Sequence, residues 1–468
     1  VKICSLYGVG YYYIPGTDTC IKIGGYVRYE AYHNAPGGAY PTNTTAGVFT
    51  RHTNTFAQQA RFRLTTDVRT QTEYGTLRSY FAFGVNWLNQ PNEGLSAATA
   101  PVGFTGNLTT SLERAFIQFA GFTIGRADTF FAFYNGAAYG LVPLQFDGSS
   151  GPGGLNVFAY TWQLGNGLSA SLSAEDAFQY AQAVTDITGA QANDLQGQQV
   201  PNIVANLRVD QAWGSAQIMG ALHQVGARYY SSAAGISGCP AGQSDVSGCN
   251  YPTDQWGWAV GAGLTLKMPW DAKDTLSGVI AYGEGATRYI ASLQGNNFMH
   301  KQGVAVGQLS DGIFATPGVA GLNGDIELTE VWGGTVAFEH YWTPSLRTSW
   351  VFGYMNVSYN DNAKALIAAN NAAGASCAGA AIGTGIKAGT VSNCNPDWSA
   401  WRLASRTMWN PVANLDVGLE IAYSKIDTAY AGFATVANAN HGLQSGTYAI
   451  EDQGAWSATL RVQRSFWP

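Results

Sequence analysis

The stretch Ala60-Arg61-Phe62-Arg63-Leu64-Thr65-Thr66-Asp67-Val68-Arg69 switches sides at every residue. Ala60, Phe62, Leu64, Thr66 and Val68 share one face, while Arg61, Arg63, Thr65, Asp67 and Arg69 share the other. A period of two belongs to a β-strand, whose successive side chains point to opposite sides of a sheet. Residues 22–31 repeat it, with Ile23, Val27, Tyr29 and Ala31 against Lys22, Tyr26, Arg28 and Glu30. So does the last strand, which sets Trp456, Ala458, Leu460 and Val462 against Ser457, Thr459, Arg461 and Gln463. A dry core would make each unpaired arginine cost several kcal/mol, so the polar face must be wet.

Short turns fall near 70–75, 120–122, 164–167, 213–215, 268–274, 342–345 and 409–414. Between them lie long segments at 33–55, 88–109, 130–155, 177–201, 229–255, 290–328, 360–397 and 427–451. The alternation predicts sixteen antiparallel strands with short turns at one end and long loops at the other, an all-β transmembrane barrel. Periodicity alone leaves a rival open, a soluble or surface-attached β-sandwich that binds a ligand or matrix. Composition separates the two. Only 12% of residues are charged, against ~25% in soluble proteins, and 13% are aromatic. No stretch approaches the ~20 apolar residues of a membrane helix, and Ala365 to Ile386 is an Ala-, Gly- and Asn-rich loop. A net charge of −6 gives no reason to expect nucleic acid as a partner. The chain opens on Val1 and is expected to be a mature or trimmed product.

Trp162, Trp213, Trp270, Trp342 and Trp409 stand at or beside five short turns, and Trp467 ends the last strand. Indoles gathered at one end of a barrel form an interfacial girdle, apolar on the ring and wet at the N–H. The six cysteines fall into local pairs, Cys4 with Cys20, Cys239 with Cys249, and Cys377 with Cys394. Such pairs suggest disulfides formed in an oxidising compartment, a periplasm or cell surface. No CxxC and no neighbouring His supply a zinc set. Residues 1–20 are thus expected to be a disulfide-closed segment before a barrel over 21–468. Whether that Tyr-rich segment plugs the barrel or straps its surface stays open.

The opening Val1-Lys2-Ile3-Cys4-Ser5-Leu6-Tyr7-Gly8, with Tyr11-Tyr12-Tyr13-Ile14-Pro15-Gly16-Thr17-Asp18-Thr19-Cys20 and Ile21 to Arg28, closely resembles the start of the alphaproteobacterial, rhizobial-type porins. Phe122-Thr123-Ile124-Gly125-Arg126-Ala127-Asp128-Thr129-Phe130-Phe131 is similar to the strand entering the third external loop of that family, and Val462 to Pro468 to its closing strand. The resemblance implies a homotrimer in the bacterial outer membrane, set in lipid and lipopolysaccharide, that passes small hydrophilic solutes and ions by diffusion. Its third loop, here 130–155, would fold into the lumen.

Arg28, Arg61, Arg63 and Arg69 share the polar faces of the first two strands, and Arg78 and Arg114 point the same way on the next two. Neighbouring strands ~4.8 Å apart set these guanidiniums on one wall, the expected lumen lining. Asp147 is the expected constriction acid, although an Asp before Gly148 also suits an ordinary turn. No HExxH, Walker loop or GxSxG is present, and the six His are scattered. No catalytic set, metal or cofactor is therefore expected. The long loops hold more acids than bases, so an acidic mouth above a mildly basic wall predicts weak cation selectivity.

Overall fold

The computed structural model describes residues 3–34, 56–89, 107–134, 138–142, 146, 153–187, 193–230, 251–291, 296–300, 303–315, 324–372, 386–436 and 446–466. Sixteen strands make one antiparallel barrel. They are β1 (Thr19–His33), β2 (Phe56–Thr72), β3 (Gly75–Leu88), β4 (Asn107–Phe119), β5 (Phe122–Ala127), β6 (Leu155–Gly165), β7 (Leu168–Glu175) and β8 (Asn202–Gln211). The circuit continues through β9 (Gly214–Val225), β10 (Gln255–Lys267), β11 (Thr275–Glu284), β12 (Glu327–Thr343), β13 (Leu346–Tyr359), β14 (Trp398–Trp409), β15 (Leu415–Asp427) and β16 (Gln453–Phe466). β16 returns to β1, with Gly25 opposite Phe466 and His33 opposite Ala458, so the sheet closes on itself. Closure satisfies the backbone groups that an open edge would leave bare in lipid.

The seven turns expected from the sequence join β2–β3, β4–β5, β6–β7, β8–β9, β10–β11, β12–β13 and β14–β15. Asn166 (φ 50°) and Gly167 (φ 75°) make the β6–β7 turn in the left-handed region that a two-residue hairpin favours. A Cβ on Gly167 would come within 2.0 Å of the Asp210 carbonyl oxygen, which accepts no side chain there. At the opposite end, Ala183–Asp186 pairs in parallel with Ser310–Phe314, which also pairs with β12. A helix, Asp361–Ala372, follows β13, so the first part of the stretch from Ala365 expected to be loop is helical; the Asn360 side chain accepts the Ala363 N–H at 2.8 Å and caps it. Among the described residues no helix is long and apolar enough to cross a membrane.

The two barrel faces differ as the alternation requires. Phe158, Leu172, Ile218, Leu222, Ile280, Leu403 and Ile421 stand exposed on the outer face of their strands. A soluble sandwich would not leave so continuous an apolar belt uncovered. Inside the barrel lies a buried cluster that includes Phe131, Tyr180, Tyr289, Ile290, Leu309 and Ile313. Small wall residues make the room. A Cβ on Gly263 would lie 2.2 Å from the Phe133 ring, so only glycine lets that ring rest against β10.

Candidate functional site

The six arginines singled out in the sequence lie on the inner face of β1 to β4, and each meets an acid or amide. Arg28 donates to Gln463 at 2.8 Å. Arg61 contacts the Tyr26 hydroxyl at 3.0 Å, Asn86 at 2.9 Å, and the Glu113 carboxylate. Arg63 Nε lies 2.7 Å from the other oxygen of Glu113. Arg69 and Arg78 share Asp67, at 3.0 Å and 2.9 Å, and Arg114 pairs with Asp128. The ladder is thus an interleaved array of cations and carboxylates. Sharing lets few acids offset many guanidiniums, while the surplus charge stays positive.

Alternation alone misses Glu113. It precedes Arg114 and should face outward, yet both side chains are buried inside the barrel. The register between β3 and β4 shifts there: Ala82 faces Arg114 while Phe83 faces Leu112. The extra residue is a bulge, which lets two successive side chains turn inward. The wall also continues beyond β1 to β4. Arg402 pairs with Glu420 at 2.8 Å, Arg406 with Glu339 at 2.6 Å, and Arg461 Nε with Glu30 at 2.6 Å. The two-residue period of β14 and β15 carried that signal.

The start of the third loop traces a path along the wall. Glu175 on β7 accepts the Thr129 hydroxyl at 2.7 Å and the Phe130 N–H at 2.8 Å. Asn206 on β8 donates to the Phe130 carbonyl at 2.6 Å, and Gln217 on β9 to Ala132 at 3.3 Å. The Phe133 ring covers Gly263 on β10, and the Tyr139 hydroxyl contacts Ser277 on β11 at 2.5 Å. Tyr134 bonds to Thr335 on β12, and Ser349 on β13 donates to the Tyr139 carbonyl at 2.6 Å. Arg406 on β14 donates to Ala138 at 2.9 Å, Glu420 on β15 accepts the Leu141 N–H, and Arg461 on β16 donates to Leu141 at 2.7 Å. The loop therefore touches each strand from β7 to β16 in turn. Every anchor named here lies on β7 to β16, whereas the end of the loop returns to β4, where a Cβ on Gly154 would lie 2.7 Å from Arg114 Nη1. Asp147 lies outside the described residues.

At the short-turn end, Cys4 and Cys20 are joined by a disulfide that pins the N-terminal segment to β1. Tyr12 and Tyr13 pair with Ile21 and Cys20, along the part of β1 that β16 does not reach. The Arg69 guanidinium stacks on Tyr7 and Tyr11, 5.6 Å and 5.2 Å from the ring centroids. Burial first, and then the Asp67 carboxylate, push the Tyr11 phenol up to about 12. The side chains of Leu6, Val9, Tyr12 and Tyr13 are exposed. Cys394 is disulfide-bonded, while Cys239, Cys249 and Cys377 lie outside the described residues.

Trp162, Trp213, Trp270, Trp342 and Trp409 are exposed at the short-turn end, and Trp467 lies outside the described residues. Trp87, Trp256 and Trp456, exposed at the loop ends of β3, β10 and β16, form an opposite set that turn spacing alone did not reveal. Among the described residues no group of three or more His, Cys, Asp or Glu is placed to hold a metal.

The comparisons with known proteins agree with this geometry. The porin Omp2b of Brucella suis biovar 1 (strain 1330) is 30% identical over 218 residues, covering 46% of this chain and 54% of that protein. Omp2b of Brucella abortus (strain 2308) matches to the same extent, so the chain spans about half the length of the curated relatives it matches. In fold, the chain is similar to the outer membrane channel DcaP of Acinetobacter baumannii, with TM-score 0.56, 16% identity, and coverage of 97% of this chain and 99% of that one. A sequence profile described as the porin subfamily matches residues 1–458, and the chain belongs to that family of outer-membrane barrels.

Proposed function

We propose that the chain forms a water-filled channel through which small hydrophilic solutes and ions diffuse passively across the bacterial outer membrane. The observation that carries this reading is the path of the third loop. Its anchors run along the wall from β7 to β16, and the arginine-bearing strands β1 to β3 form the other side of the bore. Solutes pass between the loop and Arg28, Arg61, Arg63, Arg69, Arg78 and Arg114, with Asp147 as an acid of the constriction. Charge arrayed around a narrow bore orders water and ions there, while paired arginines bind a passing ion too weakly to trap it. The chain acts as a channel and not as a catalyst. It assembles as a homotrimer in lipid and lipopolysaccharide, with its tryptophans at the interface and its short turns on the periplasmic side.

Reconstitution of the pure chain in a planar bilayer tests the reading. Stepwise conductance is expected, and its absence at any protein concentration overturns it. A soluble β-sandwich would remain monodisperse without detergent, which the exposed apolar belt argues against. Mass measurement in mild detergent tests the trimer, and a monomer alone would refute it.

A further inference from the structure

A cavity of 480 Å³ opens between the N-terminal segment and β1 to β3 at the short-turn mouth. Its lining includes Tyr7, Tyr11, Lys22, Arg63, Asp67 and Arg69, three cations against one carboxylate. Asp67 is already committed, accepting from Arg69 at 3.0 Å and from Arg78 at 2.9 Å. Lys22 stands directly opposite Asp67 in the β1–β2 register. Even so, among the described residues no carboxylate comes within ion-pairing distance of its ammonium, which lies 5.8 Å from the Tyr11 ring. Arg63 turns its Nε to Glu113, an acid that Arg61 also uses. Among the described residues the terminal nitrogens of Arg63 have no hydrogen-bond partner.

Two cationic groups with spare donors therefore face one recess, whose other walls include the phenol rings of Tyr7 and Tyr11. A concave site with a surplus of one sign of charge concentrates counter-ions. Charge-assisted hydrogen bonds from an ammonium and a guanidinium suit an oxyanion. We propose that this recess is a binding station for a small oxyanion, recognised through a carboxylate or phosphate group by Lys22 and Arg63. The N-terminal segment forms its outer wall. The proposal deepens the channel reading and rests on it. The Cys4–Cys20 disulfide, with the pairing of Tyr12 and Tyr13 to β1, holds the segment that carries Tyr7 and Tyr11 at the recess, so the disulfide supports the station. Its sign is opposite to that of the acidic external loops, and the two effects are separable. Loop charge acts on all small ions and fades with salt, whereas a station saturates with its own ligand.

The test uses the full-length chain in a planar bilayer at low salt, with gluconate and inorganic phosphate as probes and sorbitol as the neutral control. At least one anion is expected to reduce the open-channel current saturably, while sorbitol does not. Lys22→Met is expected to raise the half-blocking concentration roughly tenfold, the size of one charge-assisted hydrogen bond. Lys22→Arg should restore the block. The pair Cys4→Ser with Cys20→Ser should weaken it, because the phenol wall is released. Block no greater than with sorbitol, or a Lys22→Met channel that blocks like the parent, overturns the station. Equilibrium binding of the same anions to the detergent-solubilised chain keeps the two readings apart. Binding that depends on Lys22 without any stepwise current would sink the channel and keep the station, and current without such binding would do the reverse.

Discussion

Arg402 on β14 and Glu420 on β15 meet at 2.8 Å with both side chains 1% exposed, and the same carboxylate accepts the Leu141 N–H of the third loop. One acid thus neutralises a sealed guanidinium and fastens the loop to the wall. Glu420→Ala leaves a buried charge without its partner, which costs roughly 3 to 5 kcal/mol. The expected outcome is an earlier thermal transition in detergent together with a larger and noisier single-channel current. Replacing both residues with apolar ones of similar size should recover much of the stability but not the parent current.

The start of the loop depends on Glu175, which holds the Thr129 hydroxyl and the Phe130 N–H. Glu175→Leu removes both acceptors, and each buried donor left unpaired costs roughly 1 to 3 kcal/mol. Brief closures should become more frequent in single-channel records, because the loop swings from its remaining anchors. A record identical to the parent would place the restraint elsewhere.

The N-terminal segment hangs on one covalent link. Cys4 and Cys20 are 16 residues apart, and closing a loop of that size contributes about 3 kcal/mol in the chain-entropy model. The pair Cys4→Ser with Cys20→Ser should make residues 3–18 sensitive to protease while the barrel melts where it did before. Equal protection of the segment in both proteins would show that Tyr12–Tyr13 pairing and the Arg69 stacks suffice.

Acid should loosen the β10–β11 turn. Burial alone would raise the Asp274 carboxyl, but it accepts the Tyr341 N–H, His340 Nδ1 and Trp270 Nε1, and the net effect is to lower it. A carboxyl lowered by folding stabilises the folded state fully above its unfolded value of about 4, and that contribution is lost as pH falls through the folded value. Thermal stability should therefore drop on acidification below pH ~4. Asp274→Asn should start lower and lose this part of the acid dependence, which a series of melting curves would reveal.

The outward tryptophans carry a prediction about the bilayer. Trp270 and Trp409 at the short turns and Trp456 at the loop end are exposed. Lipids brominated near the head group should quench their fluorescence more than lipids brominated at the chain ends. Single Trp→Phe replacements at each site should remove a share of that quenching, and equal quenching at both depths would refute the two-belt arrangement.

Strands, turns and the inward arginines were legible in the residues because a strand carries its faces in a period of two, a rule that needs no distant partner. The seven short turns announced themselves in the same local way. Glu113 escaped because a bulge shifts that period by one, and the bulge depends on how β4 meets β3. The loop path escaped for a stronger reason. Thr129 to Leu141 is placed by Glu175, Asn206, Gly263, Ser349 and Glu420, residues up to 279 positions away, and no spacing in the chain links them. Local alternation determined a barrel with a wet, basic interior. Closure of the sheet decided which acids answer the arginines and which strands anchor the third loop, because both depend on strands brought together only when β16 meets β1.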